Sequence, residues 1–276
     1  MGATSWSPRC GLLRIHIRRG EVSGRRDEPG DDANLQGLQM SQLGAEKPAQ
    51  IRVDISPSEQ VTALAYRAAP HHRTDVVVIL AHGAGASQTT SFMVRFATSL
   101  AARGIDTLTF NFLYTEQRRR VPDRNDKLEG CYRAVIEVVR SGALHDDAPR
   151  RKLVIGGKSM GGRIASQVAA RDQEGIAGLV FLGYPLHPPG RPDQLRSKHL
   201  PDIRAPMLFI QGARDAFGTP EELRHVFRGL ETAPDLCVVE DGDHSFKVPK
   251  RSAMAQEQVH EFVLDATVRW LQQRIA

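Results

Sequence analysis

The chain alternates short apolar runs with amphipathic stretches from about residue 51 onward. Ile51-Arg-Val-Asp-Ile55 alternates apolar and polar residues, as a half-buried strand does, and Val61 to Tyr66 repeats the pattern after a turn at Pro57-Ser58. Val76 to Ala81 is continuously apolar, which suits a strand covered on both faces. Phe92, Met93, Phe96 and Leu100 share one helical face, and Gly104 predicts where that helix stops. Strands then follow at Ile105 to Phe110, Lys152 to Ile155, Leu179 to Leu182, Met207 to Ile210 and Leu236 to Val239. Helices separate them: one starts near Pro122-Asp123 and carries Leu128, Cys131, Val135 and Val138. A second carries Ile164, Ala165 and Val168, and a third runs from Glu221 to Leu230. A last helix carries Val259, Phe262, Val263, Ala266 and Trp270. Residues 184–204 contain five prolines and predict an irregular excursion. An antiparallel start followed by strand–helix repeats predicts an α/β fold, a mostly parallel central sheet with helices on both faces. Such sheets carry function at the carboxyl ends of their strands. The residues to search therefore follow Ala81, Phe110, Ile155, Leu182, Ile210 and Val239.

Residues 1–50 lack either period. Gly20 to Asp32 mixes charge with Gly and Pro, the composition of a disordered segment. Four arginines precede the first acid, Glu21, as in transit peptides, but the simpler expectation is an extension outside the fold or a chain that truly starts at Met40. The domain is expected over 51–276. Composition adds little specificity: 41% hydrophobic, 25% charged and no apolar run near the ~18 residues of a membrane helix. Three cysteines cannot build a disulfide framework, so a reducing, cytoplasmic setting is expected. The net charge of +5 is scattered except at Arg118-Arg119-Arg120, which reads as a solvated loop. Nucleic acid and membrane are therefore not expected partners.

After the strand Lys152 to Ile155 comes Gly156-Gly157-Lys158-Ser159-Met160-Gly161-Gly162 and then a helix. Gly157, Ser159 and Gly161 form G-x-S-x-G. A strand-to-helix turn this tight strains the serine backbone and leaves room only for small neighbours. It stands the hydroxyl at a helix amino terminus. Gly157-Lys158-Ser159 also resembles the end of a phosphate-binding loop. That loop needs Gly where Lys152 stands and a flexible stretch where Leu153 to Ile155 form a strand, so the phosphate reading fails.

A serine hydroxyl needs a base. His244, in Asp241-Gly242-Asp243-His244, follows the last strand. His16, His71, His72 and His187 lack that placement. Asp215, in Gln211-Gly212-Ala213-Arg214-Asp215, follows the preceding strand and completes the order Ser…Asp…His. Asp202 precedes its strand, and Asp241 and Asp243 are expected to shape the histidine's turn. The oxyanion donors are expected to be the Met160 N–H and, from the loop His82-Gly83-Ala84-Gly85-Ala86, the Ala84 N–H. His82 is expected to hold that loop. No cofactor or metal is required.

Assembled, these residues resemble the α/β-hydrolase superfamily over about 51–272. More narrowly, the chain resembles a dienelactone-hydrolase-related group, the KANL/Tex type, which includes NSL-complex and testis-expressed proteins. Ala81 to Ala86, Phe110-Asn111-Phe112, Gly156 to Gly162, Leu182 to Pro188 and Gln211 to Gly218 carry that likeness. The resemblance implies a Ser159/Asp215/His244 triad and an α/β-hydrolase fold. Thr107-Leu108-Thr109 and Leu113 depart from the group's pattern, where a basic residue and Pro are expected. Tyr184 to Leu200 is expected to form a short cap, with Tyr184, Arg196 and His199 on the substrate pocket. Arg191 and Lys198, with Arg118 to Arg120, add basic charge near it. The expected function is a serine hydrolase acting on a small carboxylic ester through an acyl-enzyme. Alternatives are a non-catalytic binding or scaffold protein, as the resemblance allows, and an acyltransferase using the same triad.

Overall fold

The computed structural model describes residues 47–142, 144 and 151–276. The expectations for residues 1–46, Met40 among them, lie outside the described residues. Eight strands form one sheet in the order β1-β2-β4-β3-β5-β6-β7-β8. They are β1 (Ala49–Ser56), β2 (Glu59–Tyr66), β3 (Val76–Ala81), β4 (Asp106–Phe110), β5 (Lys152–Lys158), β6 (Ile176–Leu182), β7 (Met207–Gly212) and β8 (Asp235–Val239). β1 pairs antiparallel with β2, and β2 antiparallel with β4; every later pairing is parallel. The mostly parallel sheet expected from the pattern, and the α/β-hydrolase architecture that the resemblance implies, are the ones found.

The helices are α1 (Ser91–Ala102), the single turn α2 (Leu113–Glu116), α3 (Asn125–Arg140), α4 (Met160–Arg171), α5 (Pro220–Phe227) and α6 (Gln256–Arg274). All six residues of β3 are buried, because its side chains serve two cores. Val77, Ile79 and Ala81 pack with α3 and α4 through Leu128, Val135, Ile164 and Val168. Val76, Val78 and Leu80 pack with α1 and α6 through Phe96, Leu100, Val259 and Trp270. Local chemistry sets the helix ends. Gly104 takes a φ of 86° just past α1. At α5, Thr219 Oγ1 accepts the Glu222 N–H (3.3 Å) while the Glu222 carboxylate accepts the Thr219 N–H (2.7 Å), with Pro220 at the first helical position. As the prolines predict, the excursion between β6 and β7 is irregular apart from a 3₁₀ turn at Leu200–Asp202.

The strand order fixes where a site can form. From β3 the chain moves outward to β4, then crosses back over β3 to form β5. The loops after β3 and β5 therefore leave neighbouring strands toward opposite faces, which opens a crevice between them. Tyr132 on α3 secures this junction from below. It is fully buried, its hydroxyl accepts the Gly156 N–H (2.9 Å), and its O–H lies 2.7 Å from the Gly156 carbonyl and 3.1 Å from that of Ile79. Burial raises the Tyr132 pKa, so the group stays neutral. Tyr132→Phe leaves a buried N–H without its acceptor and should cost about 1–3 kcal/mol in denaturant unfolding. A loss under about 0.5 kcal/mol would show that the hydroxyl does not support the β3–β5 junction.

Candidate active site

Ser159 sits between β5 and α4 with φ 51° and ψ −117°, a strained conformation for a residue with a side chain. The surroundings enforce it. A Cβ on Gly157, whose φ is 156°, or on Gly161 would collide with the Ala81 carbonyl oxygen of β3. The elbow is thus pressed against the neighbouring strand, and the small residues of G-x-S-x-G are what allow it. The Ser159 N–H donates to Leu182 O (3.1 Å) and its carbonyl accepts the Arg163 N–H (3.1 Å), so the turn is fixed on both sides.

His244 and Asp215 meet this serine. His244 Nε2 lies 2.8 Å from Ser159 Oγ, and His244 Nδ1 lies 2.8 Å from Asp215 Oδ2. A carboxylate can only accept, so Nδ1 carries the proton and Nε2 is left to receive one from the serine. Asp215 is 1% exposed, and its charge is met by hydrogen bonds: Oδ1 accepts the Phe217 N–H (2.8 Å) and Oδ2 accepts Gln211 Nε2 (2.8 Å). Asp243 shapes the histidine's turn as expected, its Oδ1 accepting the Ser245 and Lys247 N–H groups at 2.7 and 2.9 Å.

Three supporting residues escape the sequence reading. Gln211, fully buried on β7, accepts the Tyr184 N–H at Oε1 (2.8 Å) while its Nε2 reaches Asp215 and the Gly218 carbonyl (2.7 Å). It orients the carboxylate and ties the β6 loop to the β7 loop. Phe217 lays its ring on the His244 imidazole, centroids 4.2 Å apart. Lys158 Nζ donates to the His244 carbonyl (2.5 Å) and sits 5.2 Å from the Phe246 ring centroid. Burial draws the Lys158 pKa down to about 8, against the pull of Asp215 and Asp243. Gln211 lies in a quoted motif and Lys158 at the x of G-x-S-x-G, yet only the three-dimensional neighbours reveal what they hold.

Behind the loop after β3, His82 is fully buried and its pKa falls to about 4, chiefly by desolvation, with the Gly83 carbonyl and Glu116 opposing. Its Nδ1–H donates to Gly83 O (2.8 Å), and its Nε2 accepts the Phe112 N–H (3.2 Å) and faces Thr115 Oγ1 (3.3 Å). It holds the loop after β3, as the sequence reading expects.

A cleft of about 900 Å³ opens over Ser159, with Gly83, Ala84, Met160, Pro185, Arg196 and His244 on its walls. The expected pocket residues separate here. Arg196 lines the cleft. Tyr184 does not: its side chain is fully buried between Phe181 and Phe209, with its hydroxyl donating to Arg196 O (2.9 Å). His199 lies behind the wall, its Nε2 2.7 Å from Ser166 Oγ. That second serine–histidine pair has another chemistry. Ser166 is fully buried, its hydroxyl also contacts Arg163 O (2.7 Å), and no carboxylate among the described residues bonds the His199 ring. The pair fastens the excursion to α4. No helix among the described residues is long and apolar enough to cross a membrane.

Similarity to known proteins agrees with this fold. An α/β serine hydrolase without a lid from Xanthomonas campestris is 23% identical, with 81% of this chain and 95% of that one covered and a TM-score of 0.63. A dienelactone hydrolase from Anabaena variabilis is 20% identical over 84% and 100% of the two chains, TM-score 0.63. An esterase from Pyrococcus furiosus is 15% identical over 86% and 94%, TM-score 0.64. At these identities the likeness is one of fold. Residues 74–272 also match a family described as an alpha/beta hydrolase domain. With that match over most of its length, and with this sheet and elbow, the chain belongs to the alpha/beta hydrolase domain family.

Proposed function

We propose that the protein is a serine hydrolase of carboxylic esters, with Ser159, His244 and Asp215 as its catalytic triad. The observation that carries this is the continuous chain Asp215 Oδ2–His244–Ser159 Oγ, with both contacts at 2.8 Å, facing an open cleft. Nε2 of His244 takes the hydroxyl proton as Ser159 Oγ attacks the ester carbonyl. Asp215 holds the ring and stabilises the imidazolium. Collapse of the tetrahedral intermediate expels the alcohol, which receives the proton from His244. Water, deprotonated by the same nitrogen, then hydrolyses the acyl-Ser159 ester.

The intermediate's oxyanion needs donors on the wall facing Ser159. Met160 is the first residue of α4, so its N–H has no intrahelical partner and lies at the positive end of the helix dipole. Ala84 follows from His82. The Gly83 carbonyl is held inward by His82 Nδ1–H and by the Ala86 N–H (3.2 Å). In a trans peptide the Ala84 N–H points the opposite way. Ala84 lines the cleft, which supports its N–H as the second donor. The neutral state of His82 matters here, since a proton on Nε2 would face the Phe112 N–H. The quoted motif segments further support a place in the KANL/Tex-type group related to dienelactone hydrolases.

Ser159→Ala should lower kcat/KM on phenyl and nitrophenyl esters by at least about 10⁴-fold with an unchanged unfolding curve. Retention of more than about a tenth of the activity would remove Ser159 from the chemistry. Because the folded pKa of His82 lies below its unfolded value, the unfolded chain binds the extra proton between pH 6.5 and about 4. Stability should therefore fall as pH drops through that window, by about 3 kcal/mol from this group. The fall should be smaller by that amount in His82→Gln, measured by denaturant unfolding at each pH. Parallel curves for the two proteins would contradict a buried neutral His82.

A further inference from the structure

We propose that Arg163 and Arg196 form an anion-binding subsite in the active-site cleft, so that the preferred ester carries a carboxylate or phosphate group beside its scissile bond. The scissile part of this inference rests on the ester-hydrolase reading; the anion subsite does not. Both guanidinium-bearing residues line the cleft that contains Ser159. Arg163 stands one helical turn beyond Ser159 on α4, and Arg196 lies on the excursion between β6 and β7. Their backbones are fixed. The Arg163 N–H bonds Ser159 O (3.1 Å), while the Arg196 N–H bonds Leu186 O (2.7 Å) and its carbonyl accepts the Tyr184 hydroxyl (2.9 Å).

Neither charge is matched. Arg163 reaches only neutral groups, Asn125 Oδ1 and Gln167 Oε1, each at 3.3 Å. Arg196 has no carboxylate partner among the described residues, and both residues are half-buried. Burial lowers the Arg163 pKa first and the charge of Arg196 lowers it next, so the two cations feel each other. Glu129 acts on Arg163 only from a distance, and its carboxylate is engaged by Arg171 (3.1 Å) and Arg133 (3.6 Å). The acid on the cleft wall, Asp123, is paired with Arg119 (2.6 Å). Lys158 and Lys247 add further positive charge to the same walls. Two guanidiniums drawn partly out of water in one cleft, each raising the cost of the other's charge, are unfavourable until an oxyanion joins them. Their planar forks then bind it with charge-assisted hydrogen bonds.

The test separates this subsite from the chemistry by using Ser159→Ala protein, which cannot form an acyl-enzyme. Calorimetry would compare phenyl hydrogen glutarate with its carboxamide analogue, and 4-acetoxybenzoate and 4-acetoxyphenyl phosphate with 4-acetoxybenzamide. At least one anionic ester should bind about tenfold or more tightly than its neutral partner. Adding Arg196→Gln or Arg163→Gln should cut that preference to within about threefold, while Arg163→Lys should keep part of it. Comparison of the carboxylate and phosphate arms identifies which oxyanion fits. Equal affinity for charged and neutral esters, a preference that survives both glutamine variants, or no binding by any ester would overturn the subsite. Turnover of the anionic and the neutral esters by the unsubstituted protein is read separately. Its absence alongside an intact anion preference would overturn the hydrolase reading and leave the subsite standing.

Discussion

At the end of β5 the main chain passes so close to β3 that the Ala81 carbonyl leaves no room for a Cβ at position 157 or 161. The rest of the site follows from this contact. It forces Ser159 into φ 51° and ψ −117°, which lifts the hydroxyl out of the sheet at the amino end of α4. It also brings the loop after β3 beside Ser159, because the two strands are neighbours at the point where the strand order reverses. Tyr132 fills the space beneath with a hydroxyl bonded to both polar groups of Gly156. The strain is thus held by packing against a rigid strand.

Around that elbow, charge is rationed by burial. The buried Asp215 side chain has its oxygens satisfied by Gln211, the Phe217 amide and the imidazole of His244. His82, fully buried where His244 is partly exposed, stays neutral by desolvation, which frees it to bond a carbonyl with one nitrogen and an amide with the other. The imidazoles of His82 and His244 are therefore held in different settings by their neighbours. Lys158 connects the serine turn to the histidine turn through the His244 carbonyl, so Ser159 and His244 share one scaffold.

Much of this is written in the chain. Val76 to Ala81 matches β3 end to end because a strand buried on both faces needs an unbroken apolar run. Strand β5 runs to Lys158, past the Ile155 at which the pattern stops. Gly156 and Gly157 look like a turn but sit in the ladder, where close backbone approach demands them. The helix Leu113–Glu116 is a single turn and too short to show a period. The Ser159, Asp215 and His244 constellation is legible because its three residues each follow a strand in a fixed order. Tyr184 is not, since standing at the end of β6 does not say which face the ring chooses, and it packs into the core. Gln211, Phe217 and Lys158 act through partners distant in sequence, which composition and spacing do not encode.

Labelling of Ser159 by a fluorophosphonate probe, followed by peptide mapping, tests the central claim most directly. The phosphorus of the probe is attacked only by a serine whose base is in place. The account predicts one adduct per chain on Ser159, lost in His244→Ala and strongly slowed in Asp215→Asn. A folded protein that remains unlabelled, or an adduct on Ser166, would contradict it.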